Sequence, residues 1–132
     1  MQAFAVRLTP DQDLKVELDR FAATRSIEAA CVLTCVGSLR RAVLRFANQN
    51  EAVELTGFFE IVSLTGVFSK HGSHFHIAIA GSDGTTWGAH LLEGSTIYTT
   101  AEIVIGILPD THFLRNQDPR TGYPELEIFP VS

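Results

Sequence analysis

Residues Ser73-His74-Phe75-His76-Ile77-Ala78-Ile79-Ala80 alternate without interruption. In a β-strand, Phe75, Ile77 and Ile79 project to one face, and His74, His76, Ala78 and Ala80 to the other. The period of two requires an extended backbone with one apolar side. It also aims two imidazoles the same way, as two ligands of one ion must be. A second strand-like run, Thr85–Leu91, follows after Ser82-Asp83-Gly84 and carries a third histidine, His90.

The loop between these runs decides whether His90 joins the pair. A two-residue Asp83-Gly84 turn would set His90 opposite Ile77, on the apolar face. A three-residue loop, with Gly84 in the left-handed conformation such loops favour, sets Gly81 opposite Thr85 and His76 opposite His90. The same register puts Trp87 against Ile79, Ala89 against Ile77 and Leu91 against Phe75. One face is then wholly apolar, and the other carries the histidines and Gly88. Because a one-residue slip would turn every side chain over, the hydrophobic pattern selects the register that gathers His74, His76 and His90.

Three imidazoles on a rigid hairpin leave a fourth coordination position open to water or a ligand, the arrangement of functional zinc sites. Zn²⁺ is the expected ion, with Ni²⁺, Fe²⁺ and Co²⁺ as alternatives that imidazole also serves. A histidine cluster without metal is the other reading of the same spacing. His71, in Lys70-His71-Gly72, and His112 are expected to be solvated loop residues. Glu102, in an apolar strand, and Glu60, beside Phe59 and Ile61, have two readings each. Either could orient an imidazole or act as a base, or be an edge or interface carboxylate. No Ser/His/Asp set, phosphate-binding loop or dinucleotide fingerprint occurs.

The rest of the chain is expected to be one α+β domain over residues 1–132, a large, mostly antiparallel sheet with one main helix packed on it. Ala3–Leu8 alternates as a half-buried strand. Leu14, Leu18, Phe21 and Ala22 then follow helical spacing, with Asp13 as N-cap. After Ile27 the pattern is strand: Ala29–Val36, Ala42–Ala47, Ala52–Leu55, Phe59–Phe68, His74–Ala80, Thr85–Leu91 and Ile97–Leu108. Asn116–Pro124 is expected to be an exposed loop, and Glu125–Phe129 a last edge strand.

A hydrophobic fraction of 45% is high for so small a chain and points to a homo-oligomer. The net charge of −5 opposes binding to a nucleic-acid duplex, which draws on a basic surplus. Arg40, Arg41 and Arg45 are close enough in sequence to form a local basic patch, or a solvated edge. Cys31 and Cys35, four residues apart on one strand, would be roughly 13 Å apart at about 3.3 Å per residue. That is beyond the ~7 Å reach of a disulfide, so they are expected to be reduced thiols of a cytoplasmic protein. Met1–Leu8 lacks the apolar run of a signal peptide, and no stretch approaches the roughly 18 apolar residues of a membrane span.

Ser73-His74-Phe75-His76, Asp83-Gly84, Gly88-Ala89-His90-Leu91-Leu92-Glu93-Gly94 and Tyr98-Thr99-Thr100-Ala101-Glu102 together resemble the PPC domain (plant and prokaryote conserved domain, DUF296). Arg7-Leu8, Asp13-Leu14, Val36-Gly37-Ser38-Leu39 and Phe59-Glu60-Ile61-Val62-Ser63-Leu64-Thr65-Gly66 extend the likeness over almost the whole chain. The resemblance implies a homotrimer with a large antiparallel sheet. It also implies a DNA-binding or transcription-associated role, and in some members a metal on the histidines matching His74, His76 and His90. This fold is shared with acetolactate decarboxylase, a zinc enzyme. The chain has no Arg-Gly-Arg-Pro core of an AT-hook, and it has Phe58 where plant members have Arg. Two functions are therefore expected: a DNA-associated trimer, or a metal-dependent protein or enzyme acting on a small anionic or carbonyl-bearing molecule.

Overall fold

The computed structural model of the chain describes residues 1–130. Its elements are β1 (Gln2–Leu8), α1 (Leu14–Thr24), β2 (Ala29–Arg45), β3 (Val53–Ser69), β4 (Gly72–Ala80), β5 (Thr86–Leu91), β6 (Thr96–Ile107), β7 (Thr111–Gln117) and β8 (Pro124–Pro130). Six strands form one sheet in the order β1-β6-β2-β3-β4-β5, and β5 also pairs with β2. Every pairing is antiparallel. β7 and β8 form a separate two-stranded sheet. This is the α+β, single-domain architecture expected, with one helix on a large antiparallel sheet.

The 17-residue strand β2 sets the shape. Its first part lies between β3 and β6, with register shifts at Val32/Thr34, Gly37/Leu39 and Leu39/Arg41. Shifts of this kind bend a strand and raise its twist. Beyond Arg41, β2 leaves β6 and takes β5 as its neighbour through Leu44↔Leu91 and Arg45↔His90. Strands β2, β3, β4 and β5 therefore close on one another. Ser95, fully buried, secures the junction. The Val43 amide donates to Ser95 Oγ at 2.9 Å, Ser95 Oγ donates to the Leu92 carbonyl at 3.1 Å, and the Leu92 amide donates to the Val43 carbonyl at 3.0 Å.

The helix covers the inner face of the sheet. Asp13 caps it, accepting from the Val16 amide at 3.0 Å, while its second oxygen accepts from the Gly94 amide at 2.6 Å. One carboxylate thus satisfies a free helix-end donor and ties the helix start to the turn before β6. Leu14, Leu18, Phe21 and Ala22, the predicted apolar stripe, are all buried. They join one core with Phe68, Phe75, Leu39, Leu44, Ile79, Leu91, Ile97, Ile103 and Ile105.

Three expectations need correction. Ala29–Val36 and the expected strand from Ala42, which ends at Arg45 rather than Ala47, are parts of one strand, as are Phe59–Phe68 and the expected Ala52–Leu55, which begins at Val53. At Gly37, between the two expected segments, β6 crosses close by. A Cβ at Gly37 would overlap the Thr100 carbonyl oxygen and stand 2.7 Å from Ala101 Cα. The third correction concerns Thr111–Gln117, which forms β7, so the expected loop over Asn116–Pro124 narrows to residues 118–123. Glu125–Phe129 does return as a strand, paired with β7. Cys31 and Cys35 are both free. Among the described residues no helix is long and apolar enough to cross a membrane.

The glycine contacts predict a contrast. Gly37→Ala should destabilise the chain by about 1–3 kcal/mol in urea unfolding, because backbone must move to admit the methyl group. At Gly88 an added Cβ would meet nothing within 4 Å, so Gly88→Ala should change stability by less than about 0.5 kcal/mol.

Candidate metal centre

The predicted hairpin register is the observed one. His76 pairs with His90, Ile77 with Ala89, Ala78 with Gly88 and Ile79 with Trp87. The Gly81 amide donates to the Thr85 carbonyl at 2.9 Å, and Gly84 takes a φ of +84°, so the three-residue loop forms as its sequence requires. Ile77, Ile79 and Phe75 enter the core, and His74, His76 and His90 face outward together.

One nitrogen from each of the three imidazoles lies within 4.8 Å of the others. His74 Nε2 and His76 Nε2 are 3.2 Å apart. Tetrahedral zinc with bonds of about 2.0–2.1 Å places neighbouring ligand atoms about 3.3–3.4 Å apart. The strand pair therefore already has the right spacing, and side-chain rotation that draws the third nitrogen in by no more than about 1.5 Å closes the set. The donor chemistry fits as well: three imidazoles, no thiolate, and a fourth direction open to a ligand.

Burial and nearby positive charge favour the metal-ligating form of two of these rings, His90 and His74. The His90 pKa is lowered to about 4, first by burial and then by the Arg45 charge, with His74, His76 and Lys15 adding to the shift. Burial and Arg115 likewise lower that of His74, against a smaller opposing effect of Glu125. A neutral imidazole presents a free lone pair, so both rings are ready to bind metal without losing a proton.

Beside the histidines lies a cavity of ≈ 640 Å³. Its walls are His74, His76 and His90 on the hairpin, Ser63 and Thr65 from β3, Arg45 at the end of β2, the turn after it, and Tyr123 from the β7–β8 connection. The turn supplies Asn48, at a φ of +57°, with Gln49 and Asn50. Arg45 and this turn went unrecognised as site residues in the sequence. Only the continuation of β2 to its pairing with β5 puts Arg45 across from His90.

The other candidates lie elsewhere. Glu102 pairs with Val36 of β2 and Arg7 of β1. Val36 is nine residues from Arg45, roughly 25–30 Å of strand at about 3.3 Å per residue, so Glu102 does not orient these imidazoles. Glu60 faces Ala80, four residues along β4 from His76, or about 13 Å. Both acids are exposed. His71 Nδ1 accepts from the Arg115 amide at 2.9 Å, and His112 pairs with Glu28; neither reaches the cluster. Burial, and then Glu102, push the Cys35 thiol up to about 11, away from a nucleophilic thiolate. Arg40, Arg41 and Arg45 do not form a patch. Arg40 stacks over Phe58 at 4.8 Å, Arg41 makes a two-point pair with Glu54 at 2.7 and 2.9 Å, and Arg45 borders the cavity.

Known proteins resemble this chain throughout its length. It is 46% identical over all 132 residues to part of the bifunctional protein GlmU of Synechococcus sp. (strain JA-3-3Ab), spanning 21% of that protein. A hypothetical protein from Salmonella cholerae-suis superimposes with a TM-score of 0.95 at 38% identity, covering 98% of this chain and 94% of that one. A metal-containing protein from Archaeoglobus fulgidus does so at 0.83 and 28% identity, covering 96% and 94%. A proposed DNA-binding protein from Bacteroides thetaiotaomicron, 22% identical, shares the fold at 0.86, covering 95% and 91%. The Plants and Prokaryotes Conserved (PCC) domain model matches residues 1–109, and the chain belongs to that family.

Proposed function

We propose that His74, His76 and His90 hold one divalent transition metal, zinc in the first instance, and that the metal binds a small molecule in the adjoining cavity. The observation that carries this function is the meeting of three imidazole nitrogens, within 4.8 Å of one another, at the wall of a ≈ 640 Å³ cavity. A metal in such a place would polarise an oxygen of its ligand or activate water. The metal-containing relative from Archaeoglobus fulgidus supports the same assignment.

The family resemblance further implies a homotrimer, and one surface of the sheet is suited to it. Val36, Phe58, Val62 and Tyr98 are 60%, 51%, 59% and 39% exposed. Gly37 pairs with Ile61, which sets Val36 beside Val62, and the Phe58 and Tyr98 rings meet edge-on at 4.9 Å. Arg40, Glu60 and Glu102 share the strands that bear this surface, and Arg7 of β1 pairs with Glu102. Packing copies of the chain there would remove the apolar area from water and place opposite charges within reach of one another. Glu60 and Glu102 are, in this arrangement, interface carboxylates.

Association with DNA is the second reading, supported by the DNA-binding description of structural neighbours. The chain's charge of −5 and the dispersal of Arg40, Arg41 and Arg45 weigh against direct contact with a duplex. A DNA-binding trimer would show affinity falling steeply with salt. The small-molecule function predicts no such dependence.

Elemental mass spectrometry on protein purified without chelator or histidine tag should find about one transition metal per chain. Since loss of a group that merely orients a ligand costs 10–100-fold in affinity, His76→Ala, which removes a ligand, should cost at least about 100-fold. Wild type that is metal-free and takes up no added Zn²⁺ would contradict the assignment. Sedimentation should give three times the chain mass for wild type. In Val62→Glu it should give a mixture shifted toward monomer, because a charge would be buried without a partner.

A further inference from the structure

Arg45 ends β2 directly across from His90, half-buried, and lines the cavity. Six other arginines of the chain are engaged. Arg20 pairs with Glu17, Arg41 with Glu54 and Arg120 with Asp118, while Arg25 and Arg40 lie over aromatic rings and Arg7 bonds Thr100. Among the described residues the Arg45 guanidinium has neither an ion pair nor a side-chain hydrogen bond. Its nitrogens are not sealed from solvent, so the guanidinium is free to take an acceptor brought into the cavity.

The cavity itself supplies no anionic acceptor. The chain has 15 acidic residues, yet no aspartate or glutamate is among those lining the cavity. Its other polar walls are neutral: Asn48, Gln49 and Asn50 on one side, Ser63 and Thr65 on the other. Three neutral imidazoles leave the full charge of a divalent ion uncompensated, and Arg45 adds another positive charge on the same side. A net negative protein thus contains a positive recess of small-molecule size.

With the metal assignment above as premise, we propose that Arg45 is the specificity-determining residue of this cavity and that its ligand is a small carboxylate. The planar guanidinium offers two parallel N–H donors that match the two oxygens of a carboxylate. A second oxygen-bearing group on the same molecule takes the open position at the metal, and the amide side chains of the turn contact what remains. The small residues Ala78 and Gly88, on the histidine face, leave the floor of the recess low enough for such a ligand to lie between the hairpin and the turn.

Cobalt(II) in place of zinc allows the test, because its visible absorption reports a change at the fourth ligand. Cobalt content and the spectra are measured separately on wild type, Arg45→Gln and Arg45→Lys, with thermal unfolding as the check on folding. Each protein is titrated with lactate, malonate and succinate, with inorganic phosphate as the tetrahedral anion and imidazole as the uncharged comparator. At least one carboxylate should shift the wild-type spectrum and bind more tightly than phosphate. Its affinity should fall tenfold or more in Arg45→Gln and less in Arg45→Lys, which keeps the charge but loses the fork. Cobalt content and imidazole affinity should be unchanged. Equal carboxylate affinity in all three proteins, tighter binding of phosphate, or a response to imidazole alone would overturn the role of Arg45 while leaving the metal site standing. Failure to take up cobalt or zinc would overturn both.

Discussion

The fold depends on where β2 finds its hydrogen-bonding partners. A strand inside a sheet must pair along both edges, or leave amides and carbonyls without acceptors and donors. β2 meets this demand with three neighbours, β3 along one edge and β6 and then β5 along the other. The change of neighbour near Arg41 requires the strand to bend, which its register shifts provide. It also requires Leu44 and Arg45 to meet Leu91 and His90. The buried Ser95 hydroxyl completes the pairing where the regular ladder ends. As a consequence the histidine hairpin is pinned at both sides, by β3 and β2, and the arginine that ends β2 stands beside it.

The outer surface of the sheet differs between two separate places. Around Val36, Phe58, Val62 and Tyr98 it is apolar and exposed, the character on which the proposed packing of copies draws. Around the histidines it is recessed, polar and free of carboxylates. No carboxylate lines the recess, and Glu125 acts on His74 only against the larger effects of burial and Arg115. Keeping this division needs no large domain, which agrees with the occurrence of a similar segment within a bifunctional protein several times longer.

Local pattern made part of this legible in the sequence. The alternation of Ser73–Ala80, the apolar residues of Thr85–Leu91 and the position of Gly84 suffice to choose the hairpin register, because each is a constraint between residues fewer than twenty apart. The Leu14, Leu18, Phe21 and Ala22 stripe with its Asp13 cap is equally local. What stayed hidden is set by distant partners. Gly37 reads as a break until β6 is known to cross it, and Gly57 until Val53–Ser69 is known to be continuous. Thr111–Gln117 becomes a strand through pairing with Pro124–Pro130. Arg45 looked like one of three basic neighbours, whereas the bend of β2 sends Arg40, Arg41 and Arg45 to three different surroundings.

The central claim, that the three histidines of one hairpin share a metal, is tested most directly by X-ray absorption at the zinc edge of the zinc-loaded protein. The geometry predicts three imidazole nitrogens at about 2.0–2.1 Å and one further light atom that exchanges with added ligand. A spectrum with sulfur scattering from Cys31 or Cys35, or with oxygen ligands and no imidazole signature, would contradict it.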